Sequence, residues 1–425
     1  MQLSLSMIRK RRWQHLRKNA RRSSGIVDHG NQEKPIMLDA GTSMRIAFDR
    51  EQIRELRRRV AQYRRPPGVS GSGWGMGIDL DWFDGLMEYW STKFDWDNIE
   101  KQLNERDHRR VTIGDGHGRS IGVHIVVEPG SNPEAAPILL TAGWPSSFLE
   151  YEGVLDRLAH PERFGGRAHE GRTLIVADLP GFGLSDIPVA PIDHRTMGAM
   201  WKRLMVDHLG FDLFIAHGGD WGAVVSSWLA LDYPGHLCGL HLSMLGLKPN
   251  IQRDALLSEA EKAWLGLSKQ RLAADGGYRE TQATKPNTLA VGLSDSPAAL
   301  AAWIVEKYHG WTGGLRHSPP SLSPDQMLTA ATLYWIGNRL PSANWIYWSD
   351  RQAADIALAE GERVEVPTGL AVFGDGFFPP PPNDWAARAY NIVHRRDHPS
   401  GGHFAAWIEP EAFAAALADF CRTIT

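Results

Sequence analysis

The chain has 425 residues, 43% of them hydrophobic and 22% charged, with a formal net charge of −3. That length and balance suit a soluble globular protein with a large core and more than one structural part, and the near-neutral charge gives no basis for nucleic-acid binding. Cys238 and Cys421 are too few and too far apart for a disulfide framework or a zinc site, so a reducing cytoplasm is the expected setting.

The first 22 residues carry eight basic side chains (Arg9, Lys10, Arg11, Arg12, Arg17, Lys18, Arg21, Arg22) and no acid. No apolar run follows to make a signal peptide, and no stretch of about 18 apolar residues predicts a membrane span. Composition predicts a flexible basic arm over 1–45, with a membrane-surface or nucleic-acid contact as the alternative. In "FDREQIRELRRRVAQYRRPP", Ile53, Leu56 and Val60 fall at helical spacing, and Pro66-Pro67 ends the helix. "DLDWFDGLMEYWSTKFDW" reads as another helix, and its aromatic residues Trp82, Phe83, Tyr89 and Trp90 are expected to pack rather than to meet a substrate. Residues 46–118 are therefore expected to be a helical region.

From about residue 120, short apolar runs alternate with helical stretches: "SIGVHIVVE", "APILLTAG", "TLIVADLPG", "DLFIAHGG" and "LCGLHLSML". This alternation predicts a mostly parallel sheet covered by helices, an α/β fold whose first part spans 119–248. Residues 249–363 are helical and rich in tryptophan. "VPTGLAVFG", "YNIVHRRD" and the helix "PEAFAAALADFCRTI" then complete the sheet region over 364–425. A helical insert at that point predicts a lid over the carboxyl ends of the strands, the edge where such sheets bind ligands. Its tryptophans (Trp303, Trp311, Trp335, Trp345, Trp348) either line an aromatic pocket or pack the insert.

Between an apolar strand and an apolar helix stands Gly218-Gly219-Asp220-Trp221-Gly222. Small residues allow a sharp strand-to-helix turn that lifts the central side chain clear of the sheet, and the helix N-terminus favours an anion there. Asp220 is read as a nucleophile, with a simple helix cap as the alternative. A carboxylate suits displacement at a saturated carbon, giving an alkyl ester that a base-activated water must hydrolyse at an oxyanion hole. Epoxides and alkyl halides are the substrates that fit. The base is expected after the last strand, at His403 in "SGGHFAAWIEPE"; the acid that orients it is Asp375 in "VFGDGFFPPPPNDW", with Asp384 as its competitor. The oxyanion donors are expected to be the backbone N–H groups of Trp144 and Trp221.

These residues resemble the epoxide hydrolases of the microsomal and juvenile-hormone type over roughly 46–420. "DWFDGLMEYWSTKFDWDNIEKQLN" is similar to that family's N-terminal domain, "GWPSSFLEY" to its oxyanion turn, and "DLPGFGLSD" and "HGGDWG" to its core motifs. "GYRETQATKPNTLAVGLSDSPAALAAWIVEKYHGW" is similar to its lid and "GGHFAAWIEPE" to its histidine motif. The resemblance implies an α/β-hydrolase fold and hydrolysis of a lipophilic epoxide to a vicinal diol with no cofactor or metal, in detoxification or natural-product biosynthesis. It also implies two lid tyrosines, Tyr278 and Tyr347, that donate hydrogen bonds to the epoxide oxygen. Assembly as a homodimer is compatible with it. The chain departs from the family pattern at Ala142, where a histidine is usual, and at Asn344 and Trp345, where an arginine precedes the second tyrosine. Asp375 stands one residue before the usual place of the acid. A haloalkane dehalogenase, or a catalytically impaired ligand-binding relative, is the alternative.

Overall fold

The computed structural model describes residues 40–251, 257–353, 356–374 and 377–424. Most of the basic arm and Asp375 lie outside the described residues. Within the span read as arm, Thr42–Ser43 already form an edge strand, β1.

Three helices follow: α1 (Arg50–Ala61), α2 (Leu80–Thr92) and α3 (Trp96–Leu103). α1 buries Ile53, Leu56 and Val60, the stripe read from the sequence. The stretch 79–96, read as one helix, is two. α2 ends at Thr92, and Asp95 opens α3 by accepting a hydrogen bond from Asn98 N at 3.1 Å. A capping carboxylate ends the run despite its unbroken aromatic periodicity. Phe83 and Trp90 are fully buried, and Trp82 packs on Trp74 at 5.3 Å, so these aromatic residues pack as expected.

The sheet continues with β2 (Asp107–Gly114), β3 (Ser120–Glu128), β4 (Ile138–Thr141), β5 (Leu174–Ala177), β6 (Phe214–Gly218), β7 (Leu237–Leu242), β8 (Val364–Gly374) and β9 (Tyr390–Gly401). Their order is β1-β2-β3-β5-β4-β6-β7-β8-β9. The pairings from β1 to β5 along this order are antiparallel, and those from β5 to β9 are parallel. β2 corrects the reading of 46–118 as wholly helical. It buries His108, Val111 and Ile113, and the arginines between them mask the strand signal. β4 and β5 are buried along their whole length, which is why they read as unbroken apolar runs.

Helices α4 (Glu152–Ala159), α5 (His194–Lys202) and α6 (Trp221–Asp232) connect the central strands. Between β7 and β8 lies the helical insert: α7 (Glu259–Asp275), α8 (Gly277–Thr284), α9 (Pro286–Asp295), α10 (Pro297–Gly310), α11 (Pro324–Ile336), α12 (Leu340–Ala343) and α13 (Trp345–Gln352). α14 (Asn383–Ala389), α15 (Ala405–Ile408) and α16 (Pro410–Ile424) finish the chain. Prolines at the starts of α9 to α12 cost no hydrogen bond, because the first turn of a helix leaves its N–H groups unpaired.

The insert is tied down on both sides. Toward the sheet, Tyr308 and Tyr334 donate their hydroxyls to the carbonyls of Pro145 and Ser146, each at 2.7 Å. On its outer side it meets the N-terminal segment. The Trp90 indole donates to Thr332 Oγ1 at 3.2 Å, Tyr89 donates to Asp325 at 2.7 Å, and Trp74 stacks on His309 at 3.9 Å. The N-terminal segment thus braces the insert.

Trp90→Ala is expected to lower unfolding stability by roughly 3–5 kcal/mol in a urea titration, because it empties a fully buried site at this junction. A loss under about 1 kcal/mol would mean that the two parts do not share a core.

Candidate active site

β4 and β6 are parallel neighbours in the register Leu140↔His217 and Thr141↔Gly218. The turn after β4 and the turn after β6 therefore leave the same edge of the sheet side by side. The turn after β6 is the expected elbow. Asp220 sits at φ 48°, ψ −128°, outside the regions that L-residues favour, at a cost of about 1–3 kcal/mol. Its side chain makes no cap to α6, which leaves the helix-cap reading without support. Two glycines make the bend possible. A Cβ on Gly222 would run into the carbonyl of Thr141, and one on Gly218 into the carbonyl of Gly222.

The carboxylate is held from two directions. Trp144 N donates to Asp220 Oδ1 at 2.8 Å, and His403 Nε2 lies 3.2 Å from Oδ2. Trp221 N borders the same spot, since a Cβ on Gly143 would strike both that nitrogen and the Asp220 side chain. Among the described contacts, the N–H that reaches the carboxylate is that of Trp144. His403 is seated by its own N–H, which donates to Trp311 O at 2.9 Å. Its ring lies between Trp311 at 4.9 Å and Phe378 at 5.1 Å. Asp375, the expected orienting acid, lies outside the described residues. Its competitor Asp384 is exposed in the first turn of α14, near Arg388. That location gives no support to Asp384 as the partner of a buried imidazole.

Both tyrosines come to this place from separate helices of the insert. Tyr278 on α8 and Tyr347 on α13 are buried, with rings 5.9 Å apart at 82°. Tyr278 stacks on the Trp144 ring at 5.2 Å, and Tyr347 meets Trp221 edge-on at 4.9 Å. Burial pushes the Tyr278 phenol well up, and the charge of Asp220 adds to it. Burial does the same for Tyr347, reinforced by Tyr278 and then Asp220. Both remain protonated donors at neutral pH. The indole nitrogen of Trp144 is buried with no hydrogen-bond partner among the described residues, whereas the buried Tyr347 hydroxyl interacts with both Tyr278 and the Trp221 indole. Arg279–Asp350 at 3.3 Å and Arg351–Glu280 at 2.8 Å link α8 to α13. Asn344, at the departure from the family pattern, is buried with its side-chain amide unpartnered. Of the insert tryptophans, Trp311 contacts both Tyr278 and His403, whereas Trp303 donates to Gln282 and Trp348 is partly exposed.

Two charged groups near the site escaped the sequence reading. Lys307 on α10 is buried beneath Tyr278. Glu150, just past the turn after β4, is also buried; its lone carboxyl in the aromatic run "FLEY" was the available signal. Burial pushes the Glu150 carboxyl up to about 7. Ser146 and His403 oppose the rise, and Asp220 adds to it. Asp178, from "DLPGFGLSD", fixes the start of this segment by accepting from Phe148 N at 2.8 Å. A carboxyl raised in the folded state holds its proton longer than in the unfolded chain, so stability falls as pH rises from about 4.5 to 7. Glu150→Gln is expected to match wild type in thermal melts at pH 5 and to exceed it by roughly 2 kcal/mol at pH 8. An unchanged difference across that range would show that Glu150 ionises freely.

The description "Epoxide hydrolase N terminus" matches residues 42–151, and "alpha/beta hydrolase fold" matches residues 136–335. A Stigmatella aurantiaca protein provisionally named an epoxide hydrolase is 34% identical over 385 residues, 90% of this chain and 85% of that one. The juvenile hormone epoxide hydrolase of Bombyx mori is 30% identical over 398 residues, 87% of this chain and 84% of its own. Among solved structures, the Aspergillus niger epoxide hydrolase superposes with a TM-score of 0.77 at 27% identity, covering 91% of this chain and 97% of that one. No single helix among the described residues is long and apolar enough to cross a membrane. With an elbow carboxylate at the strand edge and matches along nearly its whole length, the chain belongs to the epoxide hydrolases of the microsomal and juvenile-hormone type, on an α/β-hydrolase fold.

Proposed function

We propose that this enzyme adds water to a lipophilic epoxide in two steps, through an ester on Asp220, and releases a vicinal diol without a cofactor. In the first step Asp220 Oδ2 forms a bond to an epoxide carbon as the ring C–O bond breaks. Tyr278 and Tyr347 donate to the departing oxygen, because an alkoxide leaves poorly without an acid. Oδ1 stays on the Trp144 N–H and becomes the carbonyl oxygen of the ester. In the second step His403 takes a proton from water as the water attacks Cγ, and the N–H groups of Trp144 and Trp221 hold the oxyanion. The acyl–oxygen bond then breaks; one proton of the attacking water, carried by His403, and the other, left on the new Asp220 carboxyl, pass to the ring-opened oxygen and to the departing ester oxygen, so a neutral diol leaves and Asp220 is again a carboxylate that keeps one oxygen from water.

The observation that carries this reading is the disposition of the carboxylate: one oxygen on an amide N–H and the other 3.2 Å from His403, with two buried phenols on the insert nearby. The buried indole N–H groups of Trp144 and Trp221 are what a dehalogenase would use to hold a halide. The phenol pair and the family favour the epoxide.

With styrene oxide as the probe, Asp220→Asn is expected to abolish diol formation. His403→Gln should accumulate an ester, seen as the mass of one substrate on the Asp220 peptide. Single turnover in heavy-oxygen water should put the label into Asp220 and not into the diol. Label in the diol after one turnover, or equal turnover by wild type and His403→Gln, would refute the two-step route. Asp375→Asn should slow ester hydrolysis about 100-fold or more and leave ring opening intact, whereas Asp384→Asn should change neither step. The reverse pattern would transfer the orienting role to Asp384.

A further inference from the structure

A buried lysine sits beneath one of the two phenols. Lys307 projects from α10 with its side chain only 6% exposed. Its ammonium lies 5.0 Å from the centre of the Tyr278 ring and 5.9 Å from that of Trp311. It is 2.8 Å from Asp275 Oδ1 and 2.7 Å from Glu306 Oε2. Asp275 ends α7, three residues before Tyr278, and its other oxygen accepts from the Trp311 indole at 3.4 Å. The ring that bears the first phenol therefore rests on an ion pair. Dehydrating a lysine is costly, and here the cost is offset by two carboxylates, which fix the ammonium against the Tyr278 ring.

We infer that Lys307 is a positioning residue for ring opening: its ammonium, held against the face of Tyr278, cancels the field of Asp275 and keeps that phenol a strong donor to the departing epoxide oxygen. This rests on the reading of Tyr278 as an oxygen donor. As the epoxide oxygen gains negative charge, the hydrogen bond from Tyr278 shortens and its phenol oxygen acquires charge as well. A carboxylate nearby opposes that development, and a cation on the ring face favours it. Asp275 does act on this phenol: burial and Asp220 push it up most, Arg279 and the hydrogen bond with Tyr347 oppose that, and Asp275 adds a smaller push upward. Without Lys307, that carboxylate would be opposed at the ring by the charge of Arg279 and no longer by an ammonium on the ring face. Ester hydrolysis places its charge on the Asp220 carbonyl, where Trp144 and Trp221 act, so Lys307 has no part in that step.

The test separates the two steps on the full chain by quenched flow with styrene oxide, reading ester formation and ester decay. Lys307→Met is expected to slow ester formation about ten-fold and to leave ester decay unchanged. Adding Asp275→Asn to it should return most of the lost rate, because it restores the net charge that Lys307, Asp275 and Glu306 carry together. In a Tyr278→Phe background, Lys307→Met should cost nothing further. Asp275→Asn alone keeps the lysine and does not depend on Lys307→Met folding; it should form ester at least as fast as wild type. The inference is overturned if Lys307→Met slows both steps equally, if its cost persists in the Tyr278→Phe background, or if Asp275→Asn alone slows ester formation. A Tyr278→Phe enzyme that forms ester at the wild-type rate would sink the tyrosine reading itself. A slow Tyr278→Phe beside a wild-type Lys307→Met would sink this inference alone.

Discussion

The rest of the molecule depends on one bend, the passage from β6 to α6 through Asp220 at positive φ. A non-glycine residue keeps that conformation only when its surroundings leave no alternative. Here β6 is paired on both sides and α6 is buried over nearly its whole length, so neither end of the bend can relax. Gly218 and Gly222 let the two elements approach closely enough to close it. The strain is thus maintained by the central sheet. Its effect is a carboxylate that spends no hydrogen bond on the helix behind it.

Around that fixed carboxylate, the remaining groups arrive on elements that are far apart in sequence. The Trp144 turn follows β4, the strand that pairs with β6. His403 follows β9, which pairs with β8 and so brings the two loops of the C-terminal part together. Tyr278 and Tyr347 come from the insert, which hydrogen bonds from Tyr308 and Tyr334 anchor to the Trp144 turn. The N-terminal segment bears on the insert as well. It packs against α10 through Trp74 and against α11 through Trp90.

Local physics governs which of these features are readable in the residues. The elbow is a contiguous pentapeptide whose glycines are needed on the spot, so "HGGDWG" points to Asp220 without any fold. The strands buried on both faces read as apolar runs for the same reason. β2 does not, because the consecutive Arg109 and Arg110 interrupt its buried residues and imitate a polar helix or loop. The break between α2 and α3 hides behind aromatic residues that pack equally well on either side of it. Tyr278 and Tyr347 have no local signature, and only the family resemblance singled them out. Glu150 and Lys307 were missed because their significance is burial, a property of the folded chain that a single charged letter does not announce.

The site also has to handle charge that moves while its donors stand still. In the free enzyme the negative charge resides on Asp220, and the Trp144 N–H already holds Oδ1. On the proposed route, ester formation removes the charge from that carboxylate and delivers it to the opened epoxide oxygen, on the side of the phenols. Hydrolysis brings it back to Oδ1 as the tetrahedral oxyanion. The Trp144 N–H therefore serves the same atom at the start and at the second transition state, with no reorganisation between them. A preformed donor for Oδ1 does little for ring opening and much for ester hydrolysis, whereas the phenols do the opposite. Dividing the donors between a rigid turn of the sheet and an inserted set of helices lets each step be stabilised without hindering the other, and that division is what a carboxylate nucleophile demands.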